Sequence, residues 1–240
     1  MSFHDEISTL IAKERYDFED LLCVMQILRS ENGCPWDREQ DHHSIRPSLI
    51  EETYEVVEAI DTDDPVLLQE ELGDLLFQIV FHAQIEKEKQ AFDVNDVIHD
   101  ITEKMIHRHP HVFGTVAVEN SDEVLQNWEV IKTEEKQRNT LVDKLRAIPP
   151  MLPALMRASK VRKKALVAAE LSSDDIIDHM LHQIKTMKAV ENDAQKRKEE
   201  IGKLLSLTTD LSRKWEVDAE EALAAQTDCL IEEIAKENSL

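Results

Sequence analysis

Two acidic pairs, set on either side of a tight turn, constrain this chain more than any other feature. One stretch reads Glu51-Glu52-Thr53-Tyr54-Glu55 and the other Glu71-Leu72-Gly73-Asp74. Leu49, Ile50, Val56, Val57 and Ile60 fill the positions around the first. Val66, Leu67, Leu68, Leu72, Leu75, Leu76 and Phe77 do so around the second. The apolar spacing is helical on both sides, with a period near 3.6. Asp61-Thr62-Asp63-Asp64-Pro65 interrupts it. Asp64 suits a helix cap and Pro65 the first helical position. The segment is therefore expected to be a helical hairpin whose arms run antiparallel and touch.

Counting along the arms makes the acidic pairs level. Glu52 and Glu55 precede Asp61 by nine and six residues, and Glu71 and Asp74 follow Asp64 by seven and ten. At ~1.5 Å of rise per residue, both pairs lie roughly 9–15 Å from the turn. Within each arm the i, i+3 spacing puts both carboxylates on one face, and Gly73 is expected to let the arms approach closely. Four converging carboxylates repel one another unless a cation sits among them. Oxygen ligands with no Cys or His nearby favour Mg²⁺, with Mn²⁺ as the substitute. The plain alternative is a solvated acidic helix surface, since the chain carries 50 Asp and Glu.

Composition narrows the function classes. Four Gly, seven Pro and little β-branched alternation point to helix throughout, an all-α chain. A net charge of −22 lacks the basic footprint of a nucleic-acid binder. No apolar run approaches ~18 residues, so no membrane span is expected. The first residues lack a basic segment leading into an apolar one, so no signal peptide is expected either. Cys23, Cys34 and Cys229 are widely spaced, which fits reduced thiols in a cytoplasmic protein.

With Glu51, Glu52, Glu55, Glu71 and Asp74 in place, the chain resembles the MazG-type nucleoside triphosphate pyrophosphohydrolases of the all-α NTP pyrophosphatase superfamily. Their signature is E-E-x-x-E followed by E-x-x-D. Asn32-Gly33-Cys34-Pro35-Trp36-Asp37 looks like the family's upstream loop, and Arg108-His109-Pro110-His111-Val112-Phe113 like its downstream one. The stretch from Trp128 to Glu135 is similar too. The likeness is dense from about residue 18 to 138. It implies Mg²⁺-dependent hydrolysis of a nucleoside triphosphate to the monophosphate and pyrophosphate. Glu52, Glu55, Glu71 and Asp74 become metal ligands. Glu51 orients or deprotonates the water, a role open also to Glu55 or Glu52. A homodimer is a family-level expectation.

Around this hairpin the other elements take supporting roles. A helix is expected over about 5–30, with Phe18, Leu21, Leu22, Met25, Ile27 and Leu28 buried, followed by a polar loop over 31–46. Trp36 is either a core plug or, with Asp37, the border of a nucleotide pocket, as the resemblance implies. Asp93 caps a helix over 94–108 that carries Lys104 and Arg108 at i, i+4. They are either surface ion-pair partners or, by resemblance, a clamp on phosphate oxygens. His107, His109 and His111 flank Pro110 in a pattern that could suggest zinc, but the proline breaks the helix, and polar loop histidines are the default. Ser121 is expected to cap a helix reaching about Gln137. On it Trp128 packs or stacks on a base, with Lys132 one turn on.

The second half reads as a worn copy of the first. The chain is expected to comprise a catalytic domain over 1–138, a linker over 139–152 and a degenerate, structural or dimerising domain over 153–240. Glu199-Glu200-Ile201-Gly202-Lys203 echoes Glu70-Glu71-Leu72-Gly73-Asp74. Lys203 stands in the place of Asp74, and His182 to Thr186 lacks the expected carboxylates. Helices are expected at about 153–169, 174–196, 198–214 and 219–237. The rival readings are a narrower dUTP or dCTP pyrophosphatase and a non-catalytic metal- or nucleotide-binding regulator. A di-iron bundle would need Glu-x-x-His on helices facing the site, which the hairpin lacks.

Overall fold

The chain opens with two helices rather than one. In the structure, a computed structural model describing residues 3–135, 140–187 and 193–238, α1 spans Phe3–Ile11 and α2 spans Phe18–Arg29. Asp17 divides the helix expected over 5–30. Its carboxylate accepts from the Asp20 amide at 3.1 Å, and the Asp20 carboxylate accepts from the Asp17 amide at 3.0 Å. This reciprocal box starts a helix, and the extended backbone at Asp17 cannot continue one. Lys13 Nζ donates to Asp20 at 2.5 Å.

The end of α2 is folded against the next turn. The Cys34 amide donates to the Leu28 carbonyl at 2.8 Å. A Cβ on Gly33 would lie 2.1 Å from the Ile27 carbonyl oxygen, so only glycine fits there. The expected loop over 31–46 contains a short helix, α3 (Pro35–Glu39), started by Pro35 at its first position.

The central hairpin forms as its sequence requires. α4 (Arg46–Asp61) and α5 (Pro65–Glu88) pack along each other. Asp64 caps α5, accepting from the Val66 and Leu67 amides at 2.9 and 3.1 Å. Gly73 does not mark a close approach, however: a Cβ there would meet nothing within 4 Å. Its face of α5 is exposed, so the arms meet through other residues.

The core lies at the opposite end of the hairpin. Met25, Ile45, Val80, Phe81 and Ile85 are buried together, with Phe18, Leu21, Leu22 and Phe77 against them. α2 thus covers the second half of α5. Arg29 stacks over the Phe81 ring at 5.2 Å and forks onto Glu88 at 2.9 and 2.8 Å. Its remaining nitrogen donates to the backbone carbonyls of Asp37 and Gln40 at 2.5 and 3.2 Å. One buried guanidinium therefore ties α2, α3 and α5 together.

α6 (Val94–Arg108) begins at the Asp93 cap and leads into α7 (Pro110–Phe113) and α8 (Ser121–Glu135). The cap of α8 is Asn120 rather than Ser121. The Asn120 Oδ1 accepts from the Glu123 amide at 3.0 Å, and Ser121 is already helical. Gln137, the expected end of that helix, lies outside the described residues. Among the described residues there is no strand, and no helix is long and apolar enough to cross a membrane.

Two compact units result, Met1–Trp128 and Glu129–Leu240. The second contains α9 (Leu141–Arg146), inside the stretch expected as linker. It also contains α10 (Ala154–Lys164), α11 (Ser173–Met187), α12 (Ala194–Lys214) and α13 (Ala219–Asn238). α10 stops short of residue 169, because Leu166 and Ala168 take positive φ of 55° and 57°. α12 starts at the Asp193 cap, earlier than the expected 198. Asp210, with no exposed surface, fixes α12 to α10: Arg162 forks onto both its oxygens, and Arg213 adds a 3.0 Å bond.

Removing this buried carboxylate leaves two guanidinium groups uncompensated. Asp210→Ala should destabilise the second unit by about 3–5 kcal/mol, measured by urea unfolding. A loss below ~1 kcal/mol would show that the pair is replaceable by solvent.

Candidate active site

The hairpin brings three of the predicted metal ligands to one spot. Glu52 and Glu55 from α4 and Glu71 from α5 each place a carboxylate oxygen within 4.8 Å of the others. All three are half-buried. The i, i+3 spacing on α4 aims two carboxylates at the facing arm, and the short turn sets Glu71 level with them. Asp74 is exposed and stands outside the group, although its charge reaches both Glu52 and Glu71. Glu51 is exposed, next to the ligand row.

The electrostatics are those of an anionic site that lacks a counter-charge. Burial pushes the Glu52 carboxyl above its ordinary value, helped by its hydrogen bond to Glu55 and by the charges of Glu55, Asp74 and Glu71. Glu71 is raised for the same first reason, with Glu55, Glu70, Asp74 and Glu58 adding repulsion. Hard, crowded oxygens that resist ionisation are a donor set suited to a small divalent cation.

The second hairpin makes the opposite arrangement. Glu200 on α12 accepts from the Gln183 amide of α11 and from Lys203 Nζ at 2.7 Å. Lys203 first, then Gln183, hold the Glu200 carboxyl below its ordinary value. An ammonium group and an amide neutralise within the chain what the first hairpin leaves unneutralised.

The other candidates are distributed around the first unit. Arg108 is buried, its guanidinium 5.0 Å above the Trp128 ring, so those two form one stacked pair. Lys104 is half-buried one turn earlier on α6. Trp36 is 62% exposed, which removes the core-plug alternative, whereas Asp37 beside it is buried. Lys132 belongs to the second unit and bonds Glu129 at 3.2 Å. His109 Nδ1 pairs with the Met105 carbonyl at 2.6 Å, and its ring lies 5.6 Å from that of His111. Among the described residues, the metal-competent group contains no histidine.

Sequence reasoning passed over a second polar cluster on the same hairpin. His42, four residues before α4, meets His82 and Glu86 of α5 at 2.8 and 2.5 Å. The available signal was on α5, where Gln78, His82 and Glu86 continue the face of Asp74 at i+4 steps.

An all-α scaffold that gathers carboxylates across a helical hairpin narrows the class, and comparison with known proteins identifies the family. Residues 40–113 match the MazG nucleotide pyrophosphohydrolase domain. The chain is 46% identical over 211 residues to a nucleoside triphosphate pyrophosphohydrolase of Escherichia coli strain K12, covering 85% of this chain and 80% of that protein. It is 40% identical over 225 residues to the nucleoside triphosphate pyrophosphohydrolase/pyrophosphatase MazG of Thermotoga maritima, covering 93% and 86%. A crystal structure of a mazG-related protein from Thermotoga maritima aligns with a TM-score of 0.42 at 29% identity, over 48% of this chain and 98% of that one. The chain belongs to the MazG nucleotide pyrophosphohydrolase family.

The raised carboxyls make stability depend on pH and metal. A group whose folded pKa is raised binds its proton more tightly when folded. Its stabilising contribution is full below the unfolded value, near 4.5, and is lost as pH rises through the raised value. In chelator, the first unit's unfolding temperature should therefore fall as pH climbs from the ordinary carboxylate range toward neutrality. Millimolar Mg²⁺ should restore it, most strongly at the upper end. Glu71→Gln should raise the midpoint in chelator and abolish the Mg²⁺ increment. A full increment in that variant would remove Glu71 from the ligand set.

Proposed function

We propose that this protein hydrolyses nucleoside triphosphates to nucleoside monophosphate and pyrophosphate, with Mg²⁺ or Mn²⁺ held by Glu52, Glu55, Glu71 and Asp74. The observation that carries this reading is the convergence of three carboxylate oxygens within 4.8 Å on facing arms of one hairpin. The activity for which the Escherichia coli and Thermotoga maritima relatives are named supports it.

The chain's own residues supply the rest of the chemistry. When bound, the divalent ion would neutralise phosphate oxygens and lower the charge barrier at the α-phosphorus. Glu51, beside the ligand row, accepts the proton of the attacking water, with Glu55 able to take the same part. The water oxygen forms its bond to the α-phosphorus as the bond to the bridging oxygen breaks, and pyrophosphate departs with that oxygen. Lys104 and Arg108 offset charge on the β and γ phosphates. Trp36, Asp37 and Trp128 are assigned to nucleotide contacts.

The second unit is assigned a structural or dimerising part, consistent with Lys203 and Gln183 occupying Glu200. Exposed apolar rows on α4 (Ile50, Tyr54, Val57) and α5 (Leu72, Leu76, Ile79) support association of two copies. Free Cys23, Cys34 and Cys229 fit a cytoplasmic setting.

Product analysis tests the reaction. The protein with Mg²⁺ and a mixture of ribo- and deoxynucleoside triphosphates should release pyrophosphate and monophosphates. Orthophosphate with diphosphates would exclude attack at the α-phosphorus. Glu55→Gln and Asp74→Asn should each lose turnover by at least ~100-fold with unchanged helix content by circular dichroism. Normal turnover in both would overturn the metal assignment.

A further inference from the structure

The hairpin carrying the carboxylates is closed at one end by the turn before Asp64. The other end is held by side chains. His42 lies where the chain enters α4, and it reaches α5 at His82 and Glu86, about three and four turns beyond Glu71. The two imidazoles lie edge to edge, with centroids 5.0 Å apart and planes 13° from parallel. Glu86 is also bonded by Lys89 at 2.7 Å.

Proton positions in this cluster are tightly constrained. An Nδ1···Nδ1 contact of 2.8 Å needs one hydrogen between two nitrogens. Glu86 is ionised and accepts, so His42 Nε2 carries a hydrogen. If His42 also donates from Nδ1, it is an imidazolium, and neutral His82 holds its hydrogen on Nε2. That nitrogen is buried without a partner, and so is Gln78 Oε1, one turn earlier on the same face of α5. Donor and acceptor are then of complementary kind, such that one bridging water would serve both. If the pair has one proton fewer, the Nδ1 bond survives only when His82 moves its hydrogen to Nδ1. His82 Nε2 then becomes a second buried acceptor beside Gln78. The alternatives sacrifice the Nδ1 bond or the bond to Glu86.

We propose that His42, His82 and Glu86 form a proton-dependent latch that closes the open end of the hairpin and holds the Glu52–Glu55 row level with Glu71. Both histidines are positioning residues, and the coupling to metal rests on the carboxylate-site reading above. Burial and the charge of His42 hold the His82 imidazole below its ordinary value, in keeping with a neutral His82. Asp41 and His43 flank His42 on its own loop, and Arg46 begins α4. On α2, the Arg29 guanidinium is taken up by Glu88. α6 meets α5 on another side, around Ala83, Gln84 and Lys87, where its capping residue Asp93 lies.

Long-range ¹H–¹⁵N correlation on the ¹⁵N-histidine-labelled full chain reads the latch without reference to metal. Below neutrality, His42 should show two protonated nitrogens, and His82 a protonated Nε2 with a bare Nδ1. A proton on His82 Nδ1 under those conditions would overturn the proposal. Mn²⁺ titration of the wild type and of His82→Leu, with helix content checked, reads the coupling. The variant should bind Mn²⁺ roughly tenfold more weakly below neutrality, with the gap closing at alkaline pH, where the wild-type latch has lost its proton. An equal deficit at both pH values, or none, would overturn the coupling. Failure of wild type to bind Mn²⁺ at all would refute the carboxylate-site reading instead, with the nitrogen signals still deciding the latch.

Discussion

Repulsion among Glu52, Glu55 and Glu71 is the force against which the first unit is built. Three oxygens within 4.8 Å would drive α4 and α5 apart if nothing else held them. The short turn at Asp61 to Pro65 prevents separation at one end. At the other, the apolar cluster of Met25, Ile45, Val80, Phe81 and Ile85 supplies the adhesion. Arg29, forked onto Glu88 and bonded to the carbonyls of Asp37 and Gln40, ties the surrounding elements to that core. The charged region therefore sits between two restrained ends.

The second unit uses the same kind of hairpin under different electrostatics. Glu200 is the counterpart of Glu71 in the sequence echo, yet its carboxyl is held low where that of Glu71 is pushed up. The cause is local: Lys203 brings an ammonium group where the first hairpin has Asp74. Burial and the charge of Glu55 push the Glu71 carboxyl up, whereas Lys203 and Gln183 together hold that of Glu200 down. Packing in this unit rests on Asp210 and its two arginines instead.

Local signals carried much of this into the sequence. Apolar period and the Asp64 and Asp93 caps are short-range features with their expected structure, whereas of the two acidic pairs Glu52, Glu55 and Glu71 converge and Asp74 stands outside. The misses share a different origin. The break at Asp17 arises because two neighbouring aspartates cap each other, a competition that apolar periodicity does not register. Asn120 outcompetes Ser121 as a cap through geometry that either residue type permits. Gly73 was expected at a close approach of the arms and lies on an open surface instead. The His42 to His82 contact spans 40 residues, and the Arg162 to Asp210 contact spans 48. Pairings at that distance depend on how helices dock, which composition and spacing leave open.

The burial of Asp210 has a consequence for ionic strength. Mobile ions screen charges they can approach, over a Debye length of about 8 Å at physiological salt. The acidic cluster of the first unit is half-exposed and belongs to a chain of net charge −22, so added salt weakens its repulsion. Asp210 has no exposed surface, and its attraction to Arg162 and Arg213 lies beyond the reach of those ions. Salt thus relaxes the half of the molecule built around like charges and leaves the half built around opposite charges as it was.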